Sequence, residues 1–291
     1  LHQYEKRGEF MNSKIMLITG STDGIGKEAA RALARQGHAV IVHGRNPDKA
    51  RAVCQSIRSE TGNDRVEMLV ADLLSLADVK RMADEFKGKY DRLDVLINNA
   101  GAIFGKHREV TPEGLEKTMA LNVFAPMLLT ELLLDRLIRS PSARIINTSS
   151  IMYSMAPKPD FSDLQMERHY SPMKAYAASK LYVLWNTQHL AAELERKGIT
   201  NVTANALHHG SVATKILQEN DKGPVLNLMF QMALPFMTRP DKGAATTVYL
   251  AASEDVEGVS GKFFANRKAR PVKVMHDSEH NKPKLWEACM K

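Results

Sequence analysis

Short apolar runs alternate with helix-patterned stretches along nearly all of this 291-residue chain. That alternation limits the fold more than any other feature. Apolar runs at residues 15–19, 39–43, 66–70, 93–97, 144–148, 202–207 and 261–265 read as strands. Between them, residues 24–36, 47–61, 75–87, 111–139 and 171–197 carry helical patterns, with Pro47 at a helix start and Gly37 at a helix end. Strands that are apolar throughout, with helices between them, indicate a parallel sheet covered on both faces. Seven strands with right-handed crossovers make an α/β, Rossmann-type doubly wound parallel sheet flanked by helices. No repeat, low-complexity linker or composition break divides the chain, so residues 11–291 read as one domain.

In such a sheet, ligands bind beyond the carboxyl ends of the strands. After the first strand comes Thr19-Gly20-Ser21-Thr22-Asp23-Gly24-Ile25-Gly26, with a helix directly behind it. Strand, glycines, then helix is the order that aims backbone N–H groups at a phosphate. The next strand ends are also small or polar: His43-Gly44-Arg45-Asn46, Ala71-Asp72-Leu73, Asn98-Asn99-Ala100-Gly101, Ser149-Ser150 and His208-His209-Gly210. Six such ends in order suit a long ligand lying across the sheet edge. The loop after the second strand separates two dinucleotides. A carboxylate there would accept from the ribose 2′-hydroxyl of NAD. This loop offers Arg45 and Asn46 and no acid before Asp48. A guanidinium binds a 2′-phosphate that a carboxylate would repel, so the expected cofactor is NADP(H).

Tyr-x-x-x-Lys occurs twice, at Tyr170/Lys174 and Tyr176/Lys180. The spacing alone is weak evidence, since roughly one chance match is expected in every two chains of this composition. Context separates the two. Ser171-Pro172 reads as an N-cap with proline at the first helical position, which leaves Tyr170 outside the helix. Tyr176 and Lys180 lie inside it, ~6 Å apart along the axis on one face. An ammonium ~5 Å from a phenol favours the phenolate by roughly 3 kcal/mol at an effective dielectric of ~20. That is about two pKa units, so Lys180 is expected to bring Tyr176 toward neutral pH as a general acid, with burial acting against it.

With these motifs assembled, the chain resembles the short-chain dehydrogenase/reductase family from about residue 14 to its C-terminus. The residues carrying the resemblance are Thr19-Gly20-x-x-x-Gly24-Ile25-Gly26, Asp72-Leu73, Asn98-Asn99-Ala100-Gly101, Asn122, Ser149-Ser150 and Tyr176-x-x-Ser179-Lys180. The resemblance implies an oxidoreductase acting on a small-molecule carbonyl or alcohol. It gives Tyr176 the proton exchange, Lys180 the nicotinamide ribose and assistance to the tyrosine, Ser150 the carbonyl, and Asn122 a water in the proton relay. It places Asp72 and Asn98 at the adenine and the adenosine-side ribose, and the Gly210, Val212 and Thr214 positions at the nicotinamide carboxamide. The 26 positions between Ser150 and Tyr176 exceed the commoner family spacing. They resemble the branch of retinol dehydrogenases and related carbonyl reductases. His209 stands where the family usually has proline, and reads as a tolerated replacement. The apolar stretch at 224–236 falls where the family carries a variable lid, within 212–240, and suggests an apolar ketone or aldehyde.

Other classes fit less well. The net charge of +7 is spread along the chain without an arginine-rich or aromatic-interleaved stripe, so no nucleic-acid partner is expected. Cys54 and Cys289 have neither metal-ligand nor redox-pair spacing, and adjacent His208 and His209 cannot share a helix face, so no metal is expected. No run reaches the ~20 apolar residues of a membrane span, and a cytoplasmic protein is expected. Residues 1–10 read as an extension ahead of the folded unit. Self-association as a homo-oligomer is left open. Two other readings stand beside the enzyme: a non-catalytic dinucleotide-binding regulator or scaffold, and a membrane-surface lipid-handling enzyme using 224–236. A filled Asn-Ser-Tyr-Lys set argues against the first.

Overall fold

The computed structural model describes residues 13–210 and 239–290. The extension at 1–10, the Val212 and Thr214 positions and the apolar 224–236 stretch lie outside the described residues. The strands are β1 (Ile15–Ile18), β2 (Ala39–Gly44), β3 (Val66–Val70), β4 (Val95–Asn98), β5 (Ala143–Thr148), β6 (Val202–His208), β7 (Phe263–Ala265) and β8 (Lys268–Arg270). They form one sheet in the order β3-β2-β1-β4-β5-β6-β7-β8, parallel except for the β7–β8 hairpin. The expected seven strands are present, and the eighth is a short antiparallel edge. The helices are α1 (Gly24–Arg35), α2 (Pro47–Thr61), α3 (Leu76–Lys89), α4 (Ala125–Ile138), α5 (Pro172–Arg196), α6 (Ala245–Ala252) and α7 (Ser278–Met290).

The two-residue period of the strands sends alternate side chains to opposite layers. Leu17, Leu69 and Leu96 pack with Val79, Met82 and Phe86 of α3 and Leu129 and Leu133 of α4. Met16, Ile18, Val40, Val42 and Ile97 pack with Leu33 of α1, Val53 and Ile57 of α2 and Leu250 of α6. Each large side chain so buried contributes about 1.5–3 kcal/mol of transfer free energy. Burial of both faces is why the strands read as unbroken apolar runs. The strand order reverses between β1 and β4, parallel neighbours in register at Leu17 and Leu96. The ligand crevice of a doubly wound sheet opens at that switch point.

The strand expected over 261–265 is trimmed to Phe263–Ala265, and two further boundaries differ from the sequence expectation. The strand expected from residue 93 begins at Val95, because the Asp94 carboxylate turns inward and accepts from the Ile15 N–H (2.7 Å) and the Ser140 hydroxyl (2.6 Å). The helix expected over 111–139 starts only at Lys117. Before it, Gly114 makes a turn at φ +82°, and Glu116 accepts from the Thr118 and Met119 N–H groups (2.9 and 2.8 Å). Helical residues 117–119 then pass through a π-helical turn, Ala120–Phe124, into α4. Pro126 lacks the N–H that would bond the Asn122 carbonyl four residues back, and so opens that turn. Among the described residues no helix is long and apolar enough to cross a membrane.

Candidate active site

The glycine loop is held by side chains around it. Gly20 and Gly24 sit at φ +62° and +53°, where a Cβ is strained. The Thr19 Oγ1 accepts from the Asn99 and Ala100 N–H groups (2.9 and 3.0 Å). The Asn99 amide donates to the Thr19 and Gly20 carbonyls (2.9 and 3.2 Å). A Cβ on Gly26 would stand 2.5 Å from both the Gly20 oxygen and the Asn99 Nδ2. Gly26→Ala is therefore expected to force the loop apart, costing about 1–3 kcal/mol in urea unfolding. An unchanged midpoint would mean that the loop is not pressed against its brace.

His43 also anchors the loop. Its Nδ1 accepts from the Gly20 N–H (3.0 Å), and its Nε2–H donates to the Ala71 carbonyl (3.2 Å). Burial holds its pKa down at about 4, against an ordinary 6.5. A folded pKa below the unfolded value means that the unfolded chain takes up the proton first. The stability from His43 is full above about pH 6.5 and is lost as pH falls toward about 4. Unfolding free energy should drop by about 2 kcal/mol between pH 7 and 5 on this account. Urea titrations of wild type and His43→Gln at both values check it; an equal drop in the variant would exonerate the imidazole.

Other expected cofactor residues spread along the same edge. Ser21 is buried, its hydroxyl donating to the Ile18 carbonyl (2.7 Å) and accepting from the His43 N–H (3.0 Å). Thr22 packs on Gly44 so closely that a Cβ there would collide with it. Asp23 caps α1 at the Gly24 N–H (2.8 Å) and pairs with Lys49 (2.9 Å). Ile25 packs with Ala29 and Ala244. First-turn amides of α1 have no carbonyl to bond within the helix, which suits a phosphate.

Arg45 is exposed just beyond β2. Asn46 caps α2 at the Lys49 N–H (2.9 Å), and the nearest acid, Asp48, pairs with Arg51 (2.8 Å). Asp72 accepts from the Leu74 N–H (3.0 Å) beside a buried Leu73. The Asn98 amide turns inward to Thr130 (3.2 Å) and Asn147 (2.8 Å), away from the sheet edge. Gly210 is exposed beyond β6.

At the opposite end of the crevice, β5, α5 and the π-helical turn bring four side chains together. The Ser150 side chain lies against the Tyr176 phenol, close enough to favour its ionised form. Ser149 is occupied elsewhere, donating to the Lys180 carbonyl (2.7 Å), which fixes α5 against the end of β5. Lys180 is buried; its ammonium donates to the Thr148 carbonyl (2.9 Å) and lies 5.4 Å from the centre of the Tyr176 ring. The Asn122 Nδ2 donates to the Ala102 carbonyl (3.1 Å) and the Ser179 hydroxyl (3.0 Å), and Ser179 donates to the Tyr176 carbonyl (2.8 Å). A Cβ on Gly101 would lie 3.1 Å from the Asn122 Oδ1 and 3.2 Å from the Lys180 Nζ, so the glycine leaves these two groups uncovered. π-Helical turns recur at functional sites, and this one carries Asn122.

The electrostatics correct one expectation. Burial holds the Tyr176 phenol above the usual tyrosine range, opposed by the Ser150 side chain beside it. Burial, which also lowers the Lys180 pKa to about 8, outweighs what the nearby ammonium does for the phenolate. The helix begins where Ser171-Pro172 indicated, with Tyr176 inside it and Tyr170 outside. Tyr170 lies before α5, donates to the Gly105 carbonyl (3.3 Å) and is pushed up to about 12, first by burial.

The glycine loop and the gap left by Gly101 fit a nicotinamide dinucleotide. His43, Thr19 and Ser179 carry structural parts that sequence reasoning left unassigned; a histidine ending the strand beside a glycine loop was the available signal. Among the described residues, no cluster of His, Cys, Asp and Glu could hold a metal.

Comparisons place this geometry among known proteins. A family model described as short chain dehydrogenase matches residues 14–224. Polyprenol dehydrogenase of Homo sapiens is 39% identical over 279 residues, 94% of this chain and 83% of that protein. Retinol dehydrogenase 12 of Mus musculus is 36% identical over 273 residues, 94% of this chain and 84% of its own. A short-chain dehydrogenase from Escherichia coli CFT073, solved with NADPH, superposes with a TM-score of 0.69 at 28% identity, covering 88% of this chain and 98% of its own.

Proposed function

The chain belongs to the short-chain dehydrogenase/reductase family, and on that footing we propose that it is an NADP(H)-dependent oxidoreductase interconverting an apolar carbonyl compound and its alcohol. The observation that carries this reading is Lys180, buried one turn from Tyr176 with its ammonium 5.4 Å from the centre of that ring, and Ser150 beside the same phenol. Bound NADP(H) supplies the hydride. In reduction, the Tyr176 Oη gives its proton to the substrate oxygen; in oxidation it takes the proton back. A phenol held high by burial stays protonated at neutral pH, which suits reduction. The Ser150 hydroxyl orients the same oxygen. The Lys180 ammonium lies close enough to steady the phenolate left behind, and below about pH 8 it carries its charge. Asn122, fixed by Ala102 and Ser179, holds the relay water. A protein that only binds a dinucleotide needs no phenol and hydroxyl set together to move a proton.

The NADP preference rests on Arg45 and on the absence of an acid directly after β2. It draws further support from the similar protein solved with NADPH. The apolar substrate is supported by relatives named for polyprenol and retinol, both long apolar alcohols. Ile151 and Met155, just beyond Ser150, are 57% and 70% exposed and give that site an apolar rim. A cytoplasmic setting belongs to the same reading, supported by two cysteines that are both free. The test is NADPH consumption against isoprenoid aldehydes, small polar aldehydes, ketones and quinones. Consumption should be fastest with the long apolar aldehydes. Consumption with none of them would end the reading.

A further inference from the structure

The net charge of +7 is less evenly spread than the sequence as a whole suggested. No aspartate or glutamate occurs from residue 258 to 276, and Lys262, Arg267, Lys268, Arg270 and Lys273 all fall there. Each is exposed, and none forms an ion pair with another described residue. The β7–β8 hairpin gathers them at the sheet edge. Lys268 stands opposite Ala265, and Arg270 opposite Phe263. Opposed residues share a face of the sheet, so both cations lie on the face where the Phe263 ring meets Tyr153 (5.4 Å). Burial first, and Arg270 second, lower the pKa of His208, which stacks on Phe263 on that same face. Beyond β8, the Lys273 N–H donates to the Tyr153 hydroxyl (3.1 Å), and the His276 Nε2 lies 2.9 Å from the Ala156 carbonyl. Residues 273–276 are thereby held against the turn Ile151–Met155. Val274 is 82% exposed, and with Met155 and Ile151 it makes up the three most exposed large apolar side chains among the described residues.

We infer that this face docks the protein on the anionic surface of a lipid bilayer, with Lys268, Arg270 and Lys273 meeting the headgroups and Val274, Met155 and Ile151 entering the acyl boundary. Cations alone would suit any polyanion. Single-stranded nucleic acid is gripped largely by stacking its bases on exposed aromatic rings, and the rings of this face, Tyr153 and Phe263, are buried. Protruding aliphatic side chains beside unpaired cations match the two layers of a membrane interface instead. The acids of the adjoining loop do not cancel the charge, because Asp160 and Asp163 are both engaged by Arg168. Ile151 directly follows Ser150, so docking sets the site beside the bilayer. On the substrate reading above, that is where a long apolar alcohol or aldehyde dissolves.

The test sediments the whole chain with phosphatidylcholine vesicles, and with vesicles in which roughly one lipid in three is phosphatidylserine. Binding should need the phosphatidylserine and should fall as salt is raised. Each lysine or arginine near such a surface contributes about fivefold. The triple variant Lys268→Gln, Arg270→Gln, Lys273→Gln should therefore bind on the order of 100-fold more weakly. A matched variant, Lys80→Gln, Arg139→Gln, Lys197→Gln, loses the same charge from exposed positions elsewhere. It should stay within about threefold of wild type. Val274→Trp reads the apolar half. Its emission should shift to the blue on the phosphatidylserine vesicles and stay unchanged on heparin, a polyanion without hydrocarbon. Wild type that ignores phosphatidylserine, equal losses in the two triple variants, or Val274→Trp emission that stays still on the vesicles or moves equally on heparin would each overturn the docking. Vesicle binding requires neither cofactor nor turnover, so such a failure would leave the oxidoreductase reading standing, and a failed activity assay would leave the docking standing.

Discussion

Tyr176→Phe is expected to lower kcat/KM for carbonyl reduction by about 10²–10⁴-fold. The substitution removes one oxygen, the group proposed to give the substrate its proton. The ring stays, and with it the packing of α5. NADPH affinity should therefore change little, so the loss should appear in turnover and not in cofactor titration. Tyr170→Phe is the control. Its hydroxyl donates to the Gly105 carbonyl (3.3 Å) from outside the helix that carries Lys180. Activity of that variant should stay close to wild type. The opposite ranking would transfer the proton chemistry to Tyr170 and remove the meaning of the helical spacing.

Arg45→Asp is expected to weaken NADPH binding by about 2–5 kcal/mol, roughly 30-fold to several thousand-fold. A charge-assisted contact to the 2′-phosphate is replaced by repulsion. Arg45 is exposed, and the nearest acid is engaged by Arg51, so the fold should not notice. NADH, which carries no 2′-phosphate, should bind the variant at least as well as wild type does. Fluorescence titration with both cofactors reads the two effects together. Wild type that binds NADH as tightly as NADPH would remove the role assigned to Arg45.

The parts of the molecule that were legible in its sequence share a physical cause. Strands buried on both faces leave unbroken apolar runs, and caps such as Asn46-Pro47 and Ser75 mark the helices behind them. Local signals also separated Tyr176 from Tyr170, because Ser171-Pro172 fixes where α5 begins. What escaped depends on three dimensions or lacks periodicity. Helix α6 has only eight residues, and α7 carries Pro283 inside it, so neither shows a clear amphipathic stripe. The π-helical turn at Asn122 depends on a missing N–H at Pro126 that sequence periodicity does not register. The bracing of Gly20 by His43 and Asn99 joins strands far apart in sequence. The sign of the Tyr176 shift was misjudged for the same reason. Helical spacing gave the distance to Lys180, but only packing reveals how far burial raises the phenol and lowers the lysine.

Hydride delivery with a proton from Tyr176 is tested most directly by following a label. NADPH deuterated at the transferring position of its nicotinamide C4 is mixed with wild type and a long-chain isoprenoid aldehyde. The alcohol formed is then analysed for deuterium on its carbinol carbon. The expected result is one deuterium per product molecule with wild type, and product formation reduced by orders of magnitude with Tyr176→Phe despite equal NADPH binding. Bound NADPH that yields no labelled alcohol from any carbonyl offered, or equal labelling by the phenylalanine variant, would contradict it.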